Sequence, residues 1–371
     1  MTKLAICVGD GGAFNFFFAN GDDSVYTRLE NVGYEIDIYA ATKGVARDKL
    51  EAAQIAATPS DGTDIVFSVY DAALFGTIGK PQSFELFLNG SRAAQAAGVP
   101  VVWCGDYFGS GCETIARNIR PNALYAPDDL TGRTFLDQRA SYKESNVVVT
   151  GSPVFDPIPN FNYPKSRKEG REKLGLGFGD EVVLHFADGL DQNDFEPYEV
   201  IGPWLRRNQV KFGVYFHPND VKNYAAKVGT IKGRLHADLG DRLIPDDVLG
   251  RLKGLERGAA ADFVTTGFST AAVEACLTGA PTAFIMLEKG QELWSKTKNL
   301  KKPFFPVLED QQGSYAPAIG IFERNMNGLD IAIERDKGQI DRFLEAERFQ
   351  KLCDGRAAER VVAEIVKRFP V

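Results

Sequence analysis

Long apolar runs are missing from this chain. No stretch approaches the roughly eighteen apolar residues that a membrane-spanning helix needs, and the start, MTKLAICVGDGG, turns to glycine too early for a secretory signal. A cytoplasmic protein with no membrane span is therefore expected. Positive charge is also short: 43 Lys and Arg stand against 50 Asp and Glu, for a net charge of −7. That balance argues against holding nucleic acid or anionic lipid over a broad basic surface. The 5 cysteines include no C-x-x-C pair. Cys7, Cys104, Cys112, Cys276 and Cys353 fall mostly in apolar contexts and read as reduced structural thiols, with no metal site. His185 and His236 lie in apolar or mixed surroundings, where a structural role is expected. Internal repeats of short period and low-complexity tracts are absent as well.

What is present describes an ordinary globular protein, 44% hydrophobic and 25% charged. Its 371 residues exceed one typical core and suit two domains. Strand-like and helix-like segments alternate: strands at residues 4–8, 34–39, 64–69, 99–104, 123–126 and 146–150, with helices near 83–97 and 130–139. This rhythm predicts a parallel sheet covered on both faces. The first strand opens into Gly9-Asp10-Gly11-Gly12, which does not match G-x-G-x-x-G, so a dinucleotide site has weak support. The glycines suit close approach of backbone to a ligand or a facing domain. A second glycine-rich loop, Cys104 to Gly111, carries Asp106. Two such loops at strand carboxyl ends, each with an acid, are expected to face one crevice. Asp10 can equally cap the turn that follows it.

Residues 151–165, GSPVFDPIPNFNYPK, break the rhythm with four prolines and read as a domain linker. The count then restarts, with helices at 167–174, 199–207 and 246–258 and strands at 181–186 and 211–216. The first of these strands runs into Ala187-Asp188-Gly189, the second into His217-Pro218. The last helix, 355–369, has Ala358, Val361, Val362, Ile365, Val366 and Phe369 on one stripe.

The most informative stretch is 261–286, ADFVTTGFSTAAVEACLTGAPTAFIM: strand, small-residue turn, helix, Gly-x-Pro stop, strand. Such a unit places free amides and the positive end of a helix dipole at a strand's carboxyl end, where anions bind. A phosphate fits Gly267 to Thr270, and Glu274 fits a ribose. Ser269 alone would serve equally as an N-cap.

Two Rossmann-like halves, a proline-rich junction and this stretch together resemble the GT-B architecture of glycosyltransferases and of UDP-N-acetylglucosamine 2-epimerases. Residues 147–157, VVVTGSPVFDP, are similar to the V-x-G-x-P-x-x-D that ends the first domain in these families. Residues 262–281 are similar to their A-D-x-x-x-x-x-S-T-x-x-x-E-A-x-x-x-G-x-P motif. The Asp106-Tyr107-Phe108 loop resembles that of capsule-type predicted glycosyltransferases, which implies polysaccharide biosynthesis.

The resemblance implies an α/β chain of two Rossmann-like domains facing a central cleft. Residues 1–160, joined by a returning helix at 355–371, would form the acceptor domain, and 161–354 the donor domain. Ser269 and Thr270 would hold the nucleotide diphosphate, Glu274 the ribose, and Asp188 and Gly189 the phosphate pocket. His217 would meet the donor's phosphate or nucleotide, or cap the next helix. Gln291 matches one member of a sugar-binding Gln pair. The donor would be a UDP- or CMP-type nucleotide sugar, used as substrate with no cofactor and no metal. The acceptor would be a glycan or small molecule. Lys296 or Lys298 would counter the leaving charge, and Asp106 or Asp10 would act as general base. Epimerases carry paired glutamates where this chain has Glu274-Ala275. An epimerase or hydrolase, a non-catalytic nucleotide- or glycan-binding protein, and a phage-type DNA-modifying glycosyltransferase remain the alternatives.

Overall fold

A computed structural model describes residues 1–77, 84–106, 118–139, 142–177, 179–187, 196–216, 220–221, 224–266, 269, 271, 274–275, 279–280, 282–284, 319–320, 352 and 354–371. The chain divides into two compact units. The first holds Met1–Pro159 and the C-terminal end; the second begins at Asn160, inside the proline-rich junction.

The first unit is built on a 7-stranded sheet of order β3-β2-β1-β4-β5-β6-β7. Its strands are β1 (Lys3–Val8), β2 (Glu35–Ala41), β3 (Thr58–Ser60), β4 (Ala72–Gly76), β5 (Val101–Cys104), β6 (Ala123–Ala126) and β7 (Val147–Val149). All described pairings are parallel, so helices must cover both faces. Alternation along β1 divides the core: Leu4, Ile6 and Val8 point to one face, Ala5 and Cys7 to the other. The first face is covered by α1 (Gly11–Phe18), α2 (Val25–Val32) and α3 (Val45–Ala52). The second is covered by α4 (Phe84–Ala96) and α5 (Asp129–Asp137). Cys7 and Cys104 are both buried free thiols, one in each face's core.

The fourth strand corrects the sequence reading. Residues 64–69, read as strand, form none, and Phe67–Val69 make a single 3-10 turn. Val66 and Val69 are 65% and 56% exposed. The strand is the alanine-rich Ala72–Gly76, fully buried between β1 and β5. A strand closed in on both faces and both edges selects small side chains over β-propensity.

The last helix, α11 (Ala357–Arg368), belongs to the first unit: Ala358, Val361, Val362 and Ile365 join the core cluster of β1, α1 and α2. Val361 and Ile365 are fully buried, each contributing about 1.5–3 kcal/mol. Its N-terminus is capped from far away in sequence, because Asp156 accepts from the amides of Ala357 and Ala358, both at 2.8 Å. At its end the Tyr34 hydroxyl donates to the Phe369 carbonyl at 2.5 Å, and Arg360 Nε donates to the Thr150 carbonyl at 2.7 Å.

The second unit holds a 5-stranded sheet of order β12-β11-β10-β8-β9. Its strands are β8 (Val182–Phe186), β9 (Lys211–Tyr215), β10 (Phe263–Thr266), β11 (Thr282–Phe284) and β12 (Ile319–Gly320), again parallel in every described pair. One face packs on α7 (Glu196–Arg207) and α8 (Ala225–Leu239) through Ile201, Trp204, Leu205, Val228, Ile231 and Leu235. The junction feeds directly into α6 (Tyr163–Lys173), which Asn162 caps by accepting from the Lys165 amide at 3.1 Å. The expected single helix at 246–258 is two short ones, α9 (Asp246–Leu249) and α10 (Glu256–Ala260). Gly254, at φ +50, sits in the break.

Candidate functional site

In an open parallel sheet, ligands bind beyond the strands' carboxyl ends where the strand order reverses. In the first sheet that place lies between β1 and β4. β1 ends into Asp10, β4 into Thr77, and the next strand, β5, into Asp106.

Asp10 is the N-cap of α1, its Oδ1 accepting from the amides of Gly12 and Ala13, both at 3.0 Å. Of the two roles expected of Asp10, the capping one is present in the structure. The helix-terminal amides that could cradle a phosphate here already serve the chain's own carboxylate. Asp106 is buried, 7% exposed. The Thr77 hydroxyl is shared between two acceptors, Asp106 Oδ1 at 3.0 Å and the Cys104 carbonyl oxygen at 3.2 Å.

Gly12 lies between the two acids. A Cβ there would stand 1.7 Å from Asp106 Oδ2 and 3.4 Å from Asp10 Oδ1. The two carboxylate oxygens are thus no farther apart than the sum of those distances. The glycine-rich loop admits another part of its own chain, the Asp106 side chain. Lys49, donating to Asn15 Oδ1 at 2.7 Å and lying 5.3 Å from the centre of the Phe14 ring, flanks the first turn of α1.

In the second sheet the order reverses between β8 and β10. Thr266, fully buried at the end of β10, joins the two strand ends: its hydroxyl donates to the Phe186 carbonyl at 2.7 Å and accepts from the Ser269 amide at 3.1 Å. Ser269 Oγ accepts in turn from the Ala271 amide at 3.4 Å, opening a helix. Ala271, Glu274 and Ala275 are helical, and Gly279 at φ +87 precedes β11. The strand, turn, helix and strand expected of 261–286 are thus present in their described parts, with half-buried Ser269 and Glu274 in the turn and the helix. Asp188, Gly189, His217, Gly267, Thr270 and Gln291 lie outside the described residues, as do Lys296 and Lys298.

Asp262, the acid that opens the motif, works at the opposite end of β10. It accepts from Arg167 Nη2, from Arg171 Nη1 at 2.9 Å and from the Val182 amide at 2.8 Å, tying α6 to the amino ends of β8 and β10. His185 on β8 is 1% exposed. Its Nδ1 meets Thr265 Oγ1 at 2.9 Å, and burial lowers its pKa to about 3. It is neutral and internal, as its surroundings in the sequence suggested. A groove of about 750 Å³ follows the outer edge of β9, lined by Phe216, His236, Ile244 and Asp246 among others. Among the described residues no group of three or more His, Cys, Asp or Glu is placed to hold a metal ion, and no helix is long and apolar enough to cross a membrane.

Sequence reasoning missed Thr77, Thr266 and Asp156. The first two carried no motif, and Asp156 was visible only as the last letter of the junction motif.

No protein-family model and no curated protein matches this sequence. Among solved structures, the chain is similar to UDP-GlcNAc 2-epimerase of Methanocaldococcus jannaschii in complex with UDP-GlcNAc and UDP, at TM-score 0.64 and 15% identity over 99% of this chain and 100% of that one. It is similar to the wall teichoic acid polymerase TagF at TM-score 0.55 and 12% identity, over 99% and 89%. It is also similar to Anabaena HepE in complex with UDP and glucose, at TM-score 0.54 and 15% identity over 100% and 96%. At such identities the likeness is one of fold alone, and the fold of this chain is the α/β fold called GT-B.

Proposed function

We propose that this chain is a metal-independent glycosyltransferase that moves a sugar from a UDP- or CMP-type nucleotide donor to a glycan or small acceptor, in polysaccharide biosynthesis in the cytoplasm. Residues 1–160 with the final helix form its acceptor domain, and 161–354 its donor domain. The observation that carries the reading is the unequal chemistry of the two switch points. In the first sheet the helix-terminal amides are taken by Asp10, and a second acid, Asp106, stands against them. In the second sheet a serine turn opens a helix at the strand end.

The first arrangement suits proton transfer and the second suits a phosphate. Asp106 accepts the proton of the acceptor hydroxyl, whose oxygen attacks the anomeric carbon. The bond from that carbon to the phosphate oxygen breaks, and its electron pair leaves on the nucleoside diphosphate, or on the monophosphate for a CMP-type donor. The turn from Gly267 to Thr270 meets that charge with dipole and hydrogen-bond donors, Glu274 holds the ribose, and Asp188, Gly189, His217 and Gln291 line the donor's phosphates and sugar.

A thermal-shift panel of UDP, CMP, GDP and ADP tests this, since a ligand of the native state raises its melting temperature. One base should stand out. Ser269→Ala and Glu274→Gln should each weaken that nucleotide about tenfold or more. Equal binding of all four, or of none, ends the reading. The paired carboxylates of Asp10 and Asp106 also favour a second reading, a nucleotide-sugar epimerase or hydrolase, which needs both an acid and a base at the sugar. NMR of the donor without acceptor separates the two, because a transferase leaves it unchanged.

A further inference from the structure

Neighbouring strand ends of the first sheet build the surroundings of Asp106, and the middle one carries a residue with no role in the reading above. Thr77 follows β4 and is fully buried. Its amide donates to the Cys104 carbonyl at 2.9 Å, so the backbone at the end of β4 is locked to that of β5, two residues before Asp106. Its hydroxyl reaches Asp106 Oδ1 at 3.0 Å. On the other side of the carboxylate stands the backbone of Gly12, so close that a Cβ would lie 1.7 Å from Oδ2.

An aspartate has only two side-chain torsions. A donor on one oxygen and a backbone wall at the other restrict both. A serviceable general base must keep its reacting oxygen within a fraction of an ångström of the proton it takes. A hydroxyl that donates to a carboxylate also favours the ionised form, the form that can accept a proton.

We propose that Thr77 is the positioning residue of Asp106, its hydroxyl holding the carboxylate against Gly12 at the switch point of the first sheet. This rests on the reading of Asp106 as the proton acceptor. Thr77 touches no substrate in it; it acts through Asp106.

The test compares Thr77→Val, which keeps the shape and removes the donor, with Thr77→Ser, which keeps the donor. With the donor sugar and acceptor that the intact protein turns over, kcat of Thr77→Val should fall roughly 10- to 100-fold. Its KM for the nucleotide sugar should hold, and the acidic limb of its pH profile should move to higher pH. Thr77→Ser should restore both kcat and the profile to within a few-fold of the parent. Equal loss in the two variants, or a loss in Thr77→Val with an unmoved profile, overturns the proposal.

A crystal structure of Thr77→Val supplies a readout that needs no turnover. The Asp106 carboxylate should leave its place against Gly12, and an unmoved carboxylate also overturns the proposal. If the parent protein binds a nucleotide but turns over no donor, the transferase reading fails while the structural arm still decides the role of Thr77. Should the valine variant not fold, Thr77→Ala, which likewise lacks the donor, takes its place in both arms.

Discussion

Replacing Gly12 with alanine perturbs Asp106 without removing any polar group. The added Cβ would lie 1.7 Å from Asp106 Oδ2 and 2.9 Å from its Cγ, whereas ordinary carbon contacts begin near roughly 3.5 Å. Relief requires the carboxylate to retreat by well over an ångström. It cannot do so and keep its 3.0 Å hydrogen bond to Thr77. Two opposing effects set the stability change. Alanine is favoured over glycine in a helix by up to about 1 kcal/mol, and here it would sit in the first turn of α1. Forcing extra volume into a packed site costs about 1–3 kcal/mol, and the clash wins because the obstructing atom belongs to a buried side chain.

The net loss corresponds to a fall in melting temperature of up to roughly 10 °C. For turnover the displacement itself decides. A misplacement of about 1 Å at a reacting group costs on the order of 100-fold, so kcat of Gly12→Ala should drop by about that factor. Nucleotide affinity, which the reading assigns to the second unit, should stay at the parent value. The assay is donor turnover alongside calorimetric titration of the nucleotide. A variant that keeps kcat within threefold would show that the position of Asp106 is immaterial to the reaction, and the assignment of Asp106 as base would be withdrawn.

Other perturbations test the fold that carries the site. Asp156→Ala removes both acceptors of the α11 amides at 2.8 Å and should cost about 1–2 kcal/mol, read as a lower urea midpoint for the first unit with an unchanged m-value. The folded state keeps His185 neutral, its pKa lowered by burial to about 3. The unfolded chain therefore takes up a proton near pH 6.5 that the folded chain refuses until about pH 3. Stability conferred by neutral His185 is full above pH 6.5 and is lost as pH falls through that window. The slope is at most about 1.4 kcal/mol per pH unit. His185→Gln should flatten this part of the pH dependence of urea unfolding, and an identical slope in the variant would contradict the burial argument.

In the second unit, much of the described part of 261–286 was legible because its signals are local. A β-branched strand, a serine that accepts from a following amide and Gly279 are read within one short window, and each corresponds to a described feature, while the apolar stripe of the helix lies outside the described residues. The first unit was legible in outline only. Its two acid-bearing loops could be placed at strand ends, but Gly12 as the point where Asp106 packs could not, since the two residues are far apart in sequence. β4 was misplaced for the same reason. Ala72 and Ala73 carry no strand propensity of their own and become strand only because β1 and β5 enclose them. α8, carrying Gly229 and Gly233, gave too weak a helical signal to be read at all.

The sequence by itself determined the alternating α/β class, the lack of a spanning apolar run, and a serine after the end of β10 that accepts from a helix-opening amide. These rest on hydrophobic period, composition and capping chemistry, which act over a few residues. The tertiary structure decided the rest. It chose which segment became β4, set Asp156 beneath a helix whose first amides lie some 200 residues on, and brought Asp10, Thr77 and Asp106 together across adjacent strand ends. Those contacts depend on strand order, and strand order is fixed by which buried faces pack together, a property of the whole sheet that no single stretch of the chain carries.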